Sequence, residues 1–301
     1  MDERFRGSGK SHLLTYNRGP VPTRSRRQGP TTAESLREYG RGIAGGFLFS
    51  LPLMLTMELW AAGVAVPPGR LIAGLAGTFV LLCGYNAYAG LRHDSNLREV
   101  AVDSVEELGI GLALSAGILL LLGRIGESGS APEAIGLVVV VGLFAAVGVS
   151  VGTAQLSGQG DTDRGLPKGR HQSVWSELAL ALCGAVLVAA NVAPTDEILF
   201  LASELRPLQL LATLLTSMAL AATLLYYSDF SGSARFADTR GLLGVVHGTV
   251  ITSAAALVVC AALLWFFGRF QQHALTLNVA QCVVLGLPGT LGGAAGRLLL
   301  R

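Results

Sequence analysis

Acidic side chains fall inside the long apolar runs of this chain, where an ionisable group is costly and rare unless it is paired or functional. Glu58 lies toward the end of the first run, and Pro52 precedes it by six residues. Because proline lacks a backbone N–H, Pro52 should break the helix locally and free the carbonyl oxygen of Leu48. A carboxylate beside a free carbonyl could bind a cation or a proton. Alternatively, Glu58 reaches the outer interface of the membrane beside Trp60.

A cluster of three acids opens the third apolar run. Asp103 and Glu107 are four residues apart and therefore share one face of a helix, whereas Glu106 lies on a neighbouring stripe. Carboxylates this close to one another can share protons, a property that a proton-coupled pathway could use. Alternatively, the three acids interact with the positive end of the helix dipole and have no further role.

The fifth, seventh and eighth runs hold further candidates. Asp196 and Glu197 end the fifth run, and they can join a pathway only if the helix continues through them; otherwise they lie in a solvated loop. His247 lies about two turns inside the seventh run, where an imidazole that titrates near neutral pH suits proton relay. The competing interpretation of His247 is a hydrogen-bonded packing residue. Pro288 is predicted to break the eighth run, as Pro52 breaks the first.

Arrangements typical of an enzyme are missing from the sequence. It contains no paired-histidine motif, nucleophile elbow or zinc-ligand spacing. The four cysteines lie inside apolar runs, without metal-ligand spacing, as expected of buried small hydrophobic residues. They are Cys83, Cys183, Cys260 and Cys282. We therefore expect a protein that is not an enzyme and has no cofactor.

The elements that must position these residues are transmembrane helices. Hydrophobic residues make up 51% of the chain and charged residues only 14%, against about 25% charged in soluble proteins. Runs of about 20 apolar residues span the hydrocarbon core as helices, which satisfy every backbone polar group internally. The sequence therefore predicts an all-α, polytopic membrane helix bundle of about eight transmembrane helices. The predicted spans are residues 43–64, 70–91, 102–123, 134–155, 174–195, 207–228, 241–267 and 275–299.

The basic residues predict the orientation of these spans. Of the 22 Lys and Arg residues, only four lie on one side of the predicted membrane. They are Arg70, Arg124, Arg206 and Arg269. Since basic residues in short loops stay cytoplasmic, both termini are predicted to lie inside, and the chain to cross a bacterial cytoplasmic (inner) membrane several times.

Polar segments divide the chain into four predicted parts. Residues 1–38 form a disordered, basic cytoplasmic tail, because they contain too little apolar surface to fold. Residues 39–156 hold transmembrane helices 1–4, residues 157–173 a cytoplasmic linker loop, and residues 174–301 transmembrane helices 5–8.

The expected partners follow from this organisation. The bilayer surrounds the helices, and Arg24, Arg26 and Arg27 in the tail could contact anionic lipid headgroups, each worth about 1 kcal/mol near the surface. The tail could equally be a topology signal with no further role. An inorganic cation or a proton is the expected small partner, and no nucleic acid is expected.

The two halves share a residue pattern that indicates an internal duplication in a 4+4 arrangement. With an offset of 139, Glu38, Gly45, Thr56 and Glu58 match Glu177, Gly184, Thr195 and Glu197. The offset is then 142 for Tyr85 and Tyr227, 145 for Gly123 and Gly268, and 144 for Gly148 and Gly292. Because each half would hold an even number of helices, the halves would run parallel, related by an axis along the membrane normal.

Several stretches resemble a bacterial family of integral membrane proteins that contain a domain of unknown function. They are residues 38–46, 56–60, 84–90, 103–111 and 148–154, which include Glu38-Tyr39-Gly40-Arg41-Gly42 and Thr56-Met57-Glu58-Leu59-Trp60. The resemblance is clearest in the first half of the chain. The resemblance covers about residues 36–300 and implies a multi-span bacterial membrane protein. It implies no activity, so no functional residue carries over from it.

Two functions compete on this evidence. The first is a cation- or proton-linked secondary transporter or ion pathway, which rests on Glu58, on the acids of the third run and on the duplication. The alternative is a membrane sensor, scaffold or assembly factor without transport activity, which rests on the basic tail and the lack of a substrate motif. The depth of the acids distinguishes them: a pathway needs acids in the interior, and a scaffold places them at the two interfaces.

Overall fold

The structure is a computed structural model that describes residues 32–88, 96–125, 130–155, 174–232, 241–271 and 273–299. These ranges form ten helices and contain no strand. The helices are α1 Thr32–Met54, α2 Met57–Ala65, α3 Pro68–Tyr88, α4 Leu97–Leu121, α5 Ala131–Gln155, α6 Val174–Ala189, α7 Asp196–Glu204, α8 Pro207–Gly232, α9 Gly241–Phe266 and α10 Leu275–Leu299. The predicted linker 157–173 and tail residues 1–31 lie outside the described residues.

The first predicted span is two helices with a sharp bend between them. Helix α1 ends at Met54, and α2 leaves it at an angle of 89°. Pro52 weakens the last turn of α1, and Thr56 is extended, with φ −94° and ψ 136°. The hydroxyl of Thr56 donates a hydrogen bond to the Leu53 carbonyl oxygen at 2.9 Å, which closes the bend. Helix α1 also begins earlier than expected, at Thr32, inside the segment predicted to be a disordered tail.

The fifth predicted span, residues 174–195, ends in a similar way. Helix α6 stops at Ala189, a turn follows, and α7 begins at Asp196. Thr195 before α7 is extended, with φ −81° and ψ 152°, and its hydroxyl donates to the Val192 carbonyl oxygen at 2.9 Å. Asp196 and Glu197 therefore lie in the first turn of a separate short helix.

Six of the described helices are long and apolar enough to cross a membrane, or seven if α1 and α2 form one bent span. Helix α6 has only 16 residues, fewer than the roughly 20 that span the hydrocarbon core. Helix α10 is continuous from Leu275 to Leu299, so the prediction that Pro288 breaks it is wrong. Pro288 is half-buried, and neighbouring protein groups can satisfy a backbone that proline disturbs. The carbonyl that lacks an intrahelical donor because of Pro288 is that of Val284. The Cys260 thiol of α9 donates to the adjacent Leu285 carbonyl oxygen at 3.3 Å.

Two glycine-lined helix pairs bring the backbones close together. Helix α1 packs on α5, where a Cβ added to Gly45 would lie 2.6 Å from the Gly148 carbonyl oxygen. Helix α6 packs on α10, where a Cβ added to Gly184 would lie 2.8 Å from the Gly296 Cα. Glycine is required at these crossings because any side chain would separate the helices.

Helices α4 and α9 end in matching glycine turns. Gly123 has φ +65° and Gly268 has φ +78°, a left-handed conformation that favours glycine. The next residue closes each turn: Arg124 N donates to Leu119 O, and Arg269 N donates to Leu264 O, both at 2.8 Å. These capped ends turn the chain back from α4 and α9 toward α5 and α10.

Candidate functional site

Glu107 is the acidic residue that the fold encloses most completely among the described residues. Its side chain projects from α4, and the residue is only 9% exposed. It lies ten residues after the start of α4, and so about 15 Å along the helix axis. Gly111, one turn further along the same face, packs directly on Ala146 of α5. This close crossing of α4 and α5 holds Glu107 in the interior of the bundle.

An asparagine on another helix binds the Glu107 carboxylate. Asn86 Nδ2 of α3 donates to Glu107 Oε2 at 2.8 Å and also lies 3.1 Å from Ser104 Oγ. The Ser150 hydroxyl of α5 donates to Asn86 Oδ1 at 3.4 Å. The Asn86 amide thus links α3, α4 and α5 around one carboxylate.

The apolar wall of this site extends into the second half of the chain. Tyr85 of α3 is fully buried and packs in one cluster with Val147 of α5 and with Leu180 and Cys183 of α6. The Tyr85 hydroxyl has no hydrogen-bond partner among the described residues. The carboxylate site therefore lies beside the junction between α3 and α6, and we call Asn86, Ser104, Glu107 and Ser150 the carboxylate site.

The three acids predicted as a cluster on α4 have different surroundings. Glu106 is exposed, and its carboxylate accepts a hydrogen bond from the Tyr39 hydroxyl of α1. Asp103 is half-buried and lies one turn before Glu107 on the same helix. Glu106 points about 100° away from Glu107 because the two residues are adjacent on the helix, whereas Asp103 shares the face of Glu107 but lies nearer the beginning of α4.

The acids predicted near the outer ends of the helices lie on the surface. Glu58 is exposed in the first turn of α2, whereas Leu48, with whose carbonyl it was predicted to form a site, lies on α1 before the bend. Asp196 has an 85% exposed side chain and forms an ion pair with Arg269 at 2.6 Å. Glu197 is exposed as well. The structure does not bring these acids to the carboxylate site.

His247 is exposed on α9, which packs against α3, α6, α8 and α10. Its neighbour Gly248 is buried, so the imidazole points away from the packed side of α9. Glu107 belongs to α4, and the structure does not bring His247 to it.

A second buried charge was not predicted from the sequence. The Arg297 side chain, near the end of α10, is 6% exposed and lies 3.0 Å from the Glu177 carboxylate of α6. Its Nη1 also donates to the Gly248 carbonyl oxygen at 2.8 Å and to Thr252 Oγ1 at 2.7 Å. The charge pattern predicts that Arg297 is one of the cytoplasmic basic residues. Its position inside the last apolar run, residues 275–299, is the sequence feature that indicates a buried charge.

The carboxylate site has the chemistry of a proton or small-cation site. It offers one carboxylate, one amide oxygen and two hydroxyl groups from three helices. Within the part of the chain that the structure describes, no group of three or more His, Cys, Asp or Glu side chains could hold a metal ion. A protein carboxylate that accepts from an amide N–H can bind a proton on its other oxygen while that bond persists.

A family model described as "Putative integral membrane protein (DUF2391)" matches residues 38–300 of the chain. No curated protein and no solved structure matches it.

Proposed function

The chain belongs to the DUF2391 family of integral membrane proteins. We propose that it is a cation- or proton-linked secondary transporter or ion pathway in which Glu107 binds and releases the ion. The observation that carries the proposal is the enclosed carboxylate of Glu107, which is held by Asn86. A charged residue at the centre of a membrane helix costs about 2.5–3.5 kcal/mol on insertion scales, so it is rarely present without a role.

The geometry around Glu107 suits reversible protonation. Asn86 Nδ2 needs an acceptor, and either a carboxylate or the carbonyl oxygen of a protonated carboxyl group satisfies it. Glu107 forms no ion pair within the described ranges, so no basic side chain there fixes it in one charge state. The site can therefore gain or lose a proton without losing the hydrogen bond between α3 and α4.

The remaining acids of α4 suggest the direction of access. Glu106 and Asp103 lie between Glu107 and the beginning of α4, and Glu106 is exposed. With both termini in the cytoplasm, as the basic residues predict, this end of α4 faces the cytoplasm. We propose that ions reach Glu107 from the cytoplasmic side past these two carboxylates.

Ion flux into proteoliposomes tests this function. Purified wild-type protein is compared with Glu107→Gln, with Glu106→Gln, and with Glu58→Gln as the matched control at the outer end, using a pH-sensitive dye and a panel of monovalent and divalent cations. Glu107→Gln should abolish flux, Glu106→Gln should slow it, and Glu58→Gln should leave it unchanged. Equal flux through Glu107→Gln and wild type would refute the assignment.

A membrane sensor, scaffold or assembly factor is the second candidate function. It is favoured by α5, in which every residue from 140 to 152 is buried, and by the surface positions of Glu58, Asp196 and Glu197. A folded wild-type protein that carries no ion in the flux assay would favour this candidate. We propose no catalysed reaction and no cofactor for either function.

The matching features of α1–α5 and α6–α10 support a proposed duplication with eight crossings, of which α1–α2 and α6–α7 form one each. Support comes from the extended Thr56 and Thr195 before the short helices and from the positive φ of Gly123 and Gly268. An experimental structure in which the two halves do not superpose would contradict it. We place the protein in a bacterial inner membrane with both termini in the cytoplasm and the basic tail near anionic lipid headgroups.

A further inference from the structure

The two halves of the chain meet through an asymmetric contact. Helix α3 packs on α4 and α5 of its own half and also against α6 and α9 of the other half. Helix α8 holds the matching place in the second half, and among the described residues it packs on α9 and α10, with no comparable contact to α1–α5. The second half therefore covers one face of α3. The corresponding face of α8 is not covered by the described residues of the first half.

Specific side chains make the covered contact of α3. A Cβ added to Gly74 would lie 2.7 Å from the Phe266 ring of α9, so helix and ring are in direct contact. The guanidinium carbon of Arg70 lies 5.6 Å from the centre of the Trp265 ring. Further toward the cytoplasmic end, Leu81 packs against the cluster that contains Leu187 of α6.

The first half exposes a surface that matches the one α3 covers. The aligned threonines before α2 and α7 give an offset of 139 for α1 and α6, so Leu48 corresponds to Leu187. The aligned glycine turns give an offset of 145 for α4 and α9, so Leu120 and Leu121 correspond to Trp265 and Phe266. Their exposed fractions are 65% for Leu48, 59% for Leu120 and 85% for Leu121. We call these three residues the leucine surface.

Helix α8 exposes the matching face of α3. The helices begin at Pro68 and Pro207, an offset of 139 that also holds for the starts of the short helices α2 and α7 before them. Because α3 and α8 are both continuous, this offset applies along their length and replaces the offset of 142 predicted from Tyr85 and Tyr227. Gln209 therefore corresponds to Arg70, Thr213 to Gly74 and Leu220 to Leu81. Gln209 and Leu220 are exposed, and Thr213 is half-buried. The three positions lie within about 40° of one another around the helix, because each residue turns it by about 100°. We call them the α8 face.

The sizes of the side chains change together between the two contacts. The covered contact pairs glycine with a phenylalanine ring, and the uncovered positions pair the larger Thr213 with the smaller Leu121. The covered contact also pairs an arginine with a tryptophan, and the uncovered positions replace both by the neutral Gln209 and Leu120. The larger side chain at Thr213 is thus offset by the smaller one at Leu121, as close packing favours. The loss of the positive charge at Gln209 accompanies the loss of the aromatic ring at Leu120.

We propose that a second copy of this chain docks its α8 face on the leucine surface of the first and repeats the contact of α3 with α6 and α9. This inference rests on the proposed duplication and is independent of transport through Glu107. A contact that joins two different faces of related units is heterologous, so it leaves a free face at each end until further units close a ring. In this protein the two units are the two halves of the chain. One contact, that of α3 with α6 and α9, forms between them, and the chain exposes one leucine surface and one α8 face.

Site-specific cross-linking in native membranes tests this interface. Two differently tagged chains are expressed together, one with Thr213→Cys and the other with Leu121→Cys, and are treated with a short thiol-reactive linker. We expect a cross-linked product that carries both tags. The matched control replaces Thr213→Cys by Leu215→Cys, because Leu215 is 57% exposed but lies about 160° further round α8. Chains with only their four natural cysteines correct for background.

The unmodified chain provides the second measurement, its mass in lipid nanodiscs. Three results together support the interface. The unmodified chain is an oligomer, Thr213→Cys gives the cross-linked product, and Leu215→Cys gives at most a tenth of that amount of product. A monomer, a missing product at 213, or comparable products at both positions overturns it and leaves the two faces in contact with lipid. Flux through Glu107 is measured separately, so failure here can be distinguished from failure of the proposed function.

Discussion

The buried ion pair between Arg297 and Glu177 makes a quantitative prediction. The Arg297 side chain is 6% exposed and that of Glu177 is 20% exposed, and the charged atoms are 3.0 Å apart. Glu177→Gln preserves the shape of the residue but removes the carboxylate that lies 3.0 Å from the enclosed guanidinium. Removing one partner of a buried pair costs about 3–5 kcal/mol. Because Glu177 has some contact with solvent, we expect a loss of about 3 kcal/mol.

Removing the arginine should cost less. Arg297→Met keeps most of the apolar length and loses the hydrogen bonds to Gly248 O and Thr252 Oγ1. Thr252 Oγ1 retains its own bond to the Gly248 carbonyl oxygen at 2.8 Å, so neither oxygen lacks a partner. Glu177 lies in the first turn of α6, where its carboxylate can reach water and the positive end of the helix dipole. We expect a loss of about 1–3 kcal/mol.

A double-mutant cycle checks this reasoning. The free energy of unfolding is measured in lipid bicelles by steric trapping for wild type, Glu177→Gln, Arg297→Met and the double variant. The double variant should lose less stability than the sum of the single variants, by about 1–3 kcal/mol, because both charges of the pair are removed together. Additive losses, or a Glu177→Gln variant within about 0.5 kcal/mol of wild type, would refute the view that this pair holds α6 to α10.

Three further substitutions probe the packing and the turns. Gly45→Ala should lower the free energy of unfolding by about 1–3 kcal/mol, because the added Cβ forces α1 away from α5. The control Gly40→Ala, whose Cβ meets nothing within 4 Å, should be neutral or stabilising. Equal losses of stability in the two variants would contradict this. Gly268→Ala should cost about 1–2 kcal/mol because φ is +78°, and an unchanged melting temperature would argue against that conformation. Trp60→Phe should cost about 0.5–1.5 kcal/mol by removing the 2.8 Å bond from Nε1 to the Met54 carbonyl oxygen, and a loss below 0.3 kcal/mol in the same measurement would count against that bond.

Part of the candidate site could be predicted from the sequence. Glu107 was identified because a carboxylate in an apolar run is costly, and this holds wherever the residue points. The sequence could not choose between Glu107 and Glu106, which are adjacent on α4. That choice depends on how α4 is rotated against α3 and α5, and the partner Asn86 lies on a different helix. Arg297 was missed for the same reason, since Glu177 is 120 residues away along the chain.

The sequence by itself determined that this is an all-α membrane protein. Long apolar runs must form helices, because a backbone in lipid can satisfy its hydrogen bonds only internally. Only the tertiary structure decided where those helices bend, and Pro52 and Pro288 illustrate why. Pro52 lies in the last turn of α1 and is exposed, so the chain bends two residues later, before Thr56. Pro288 lies in the middle of α10 between packed helices, and their contacts keep the helix continuous.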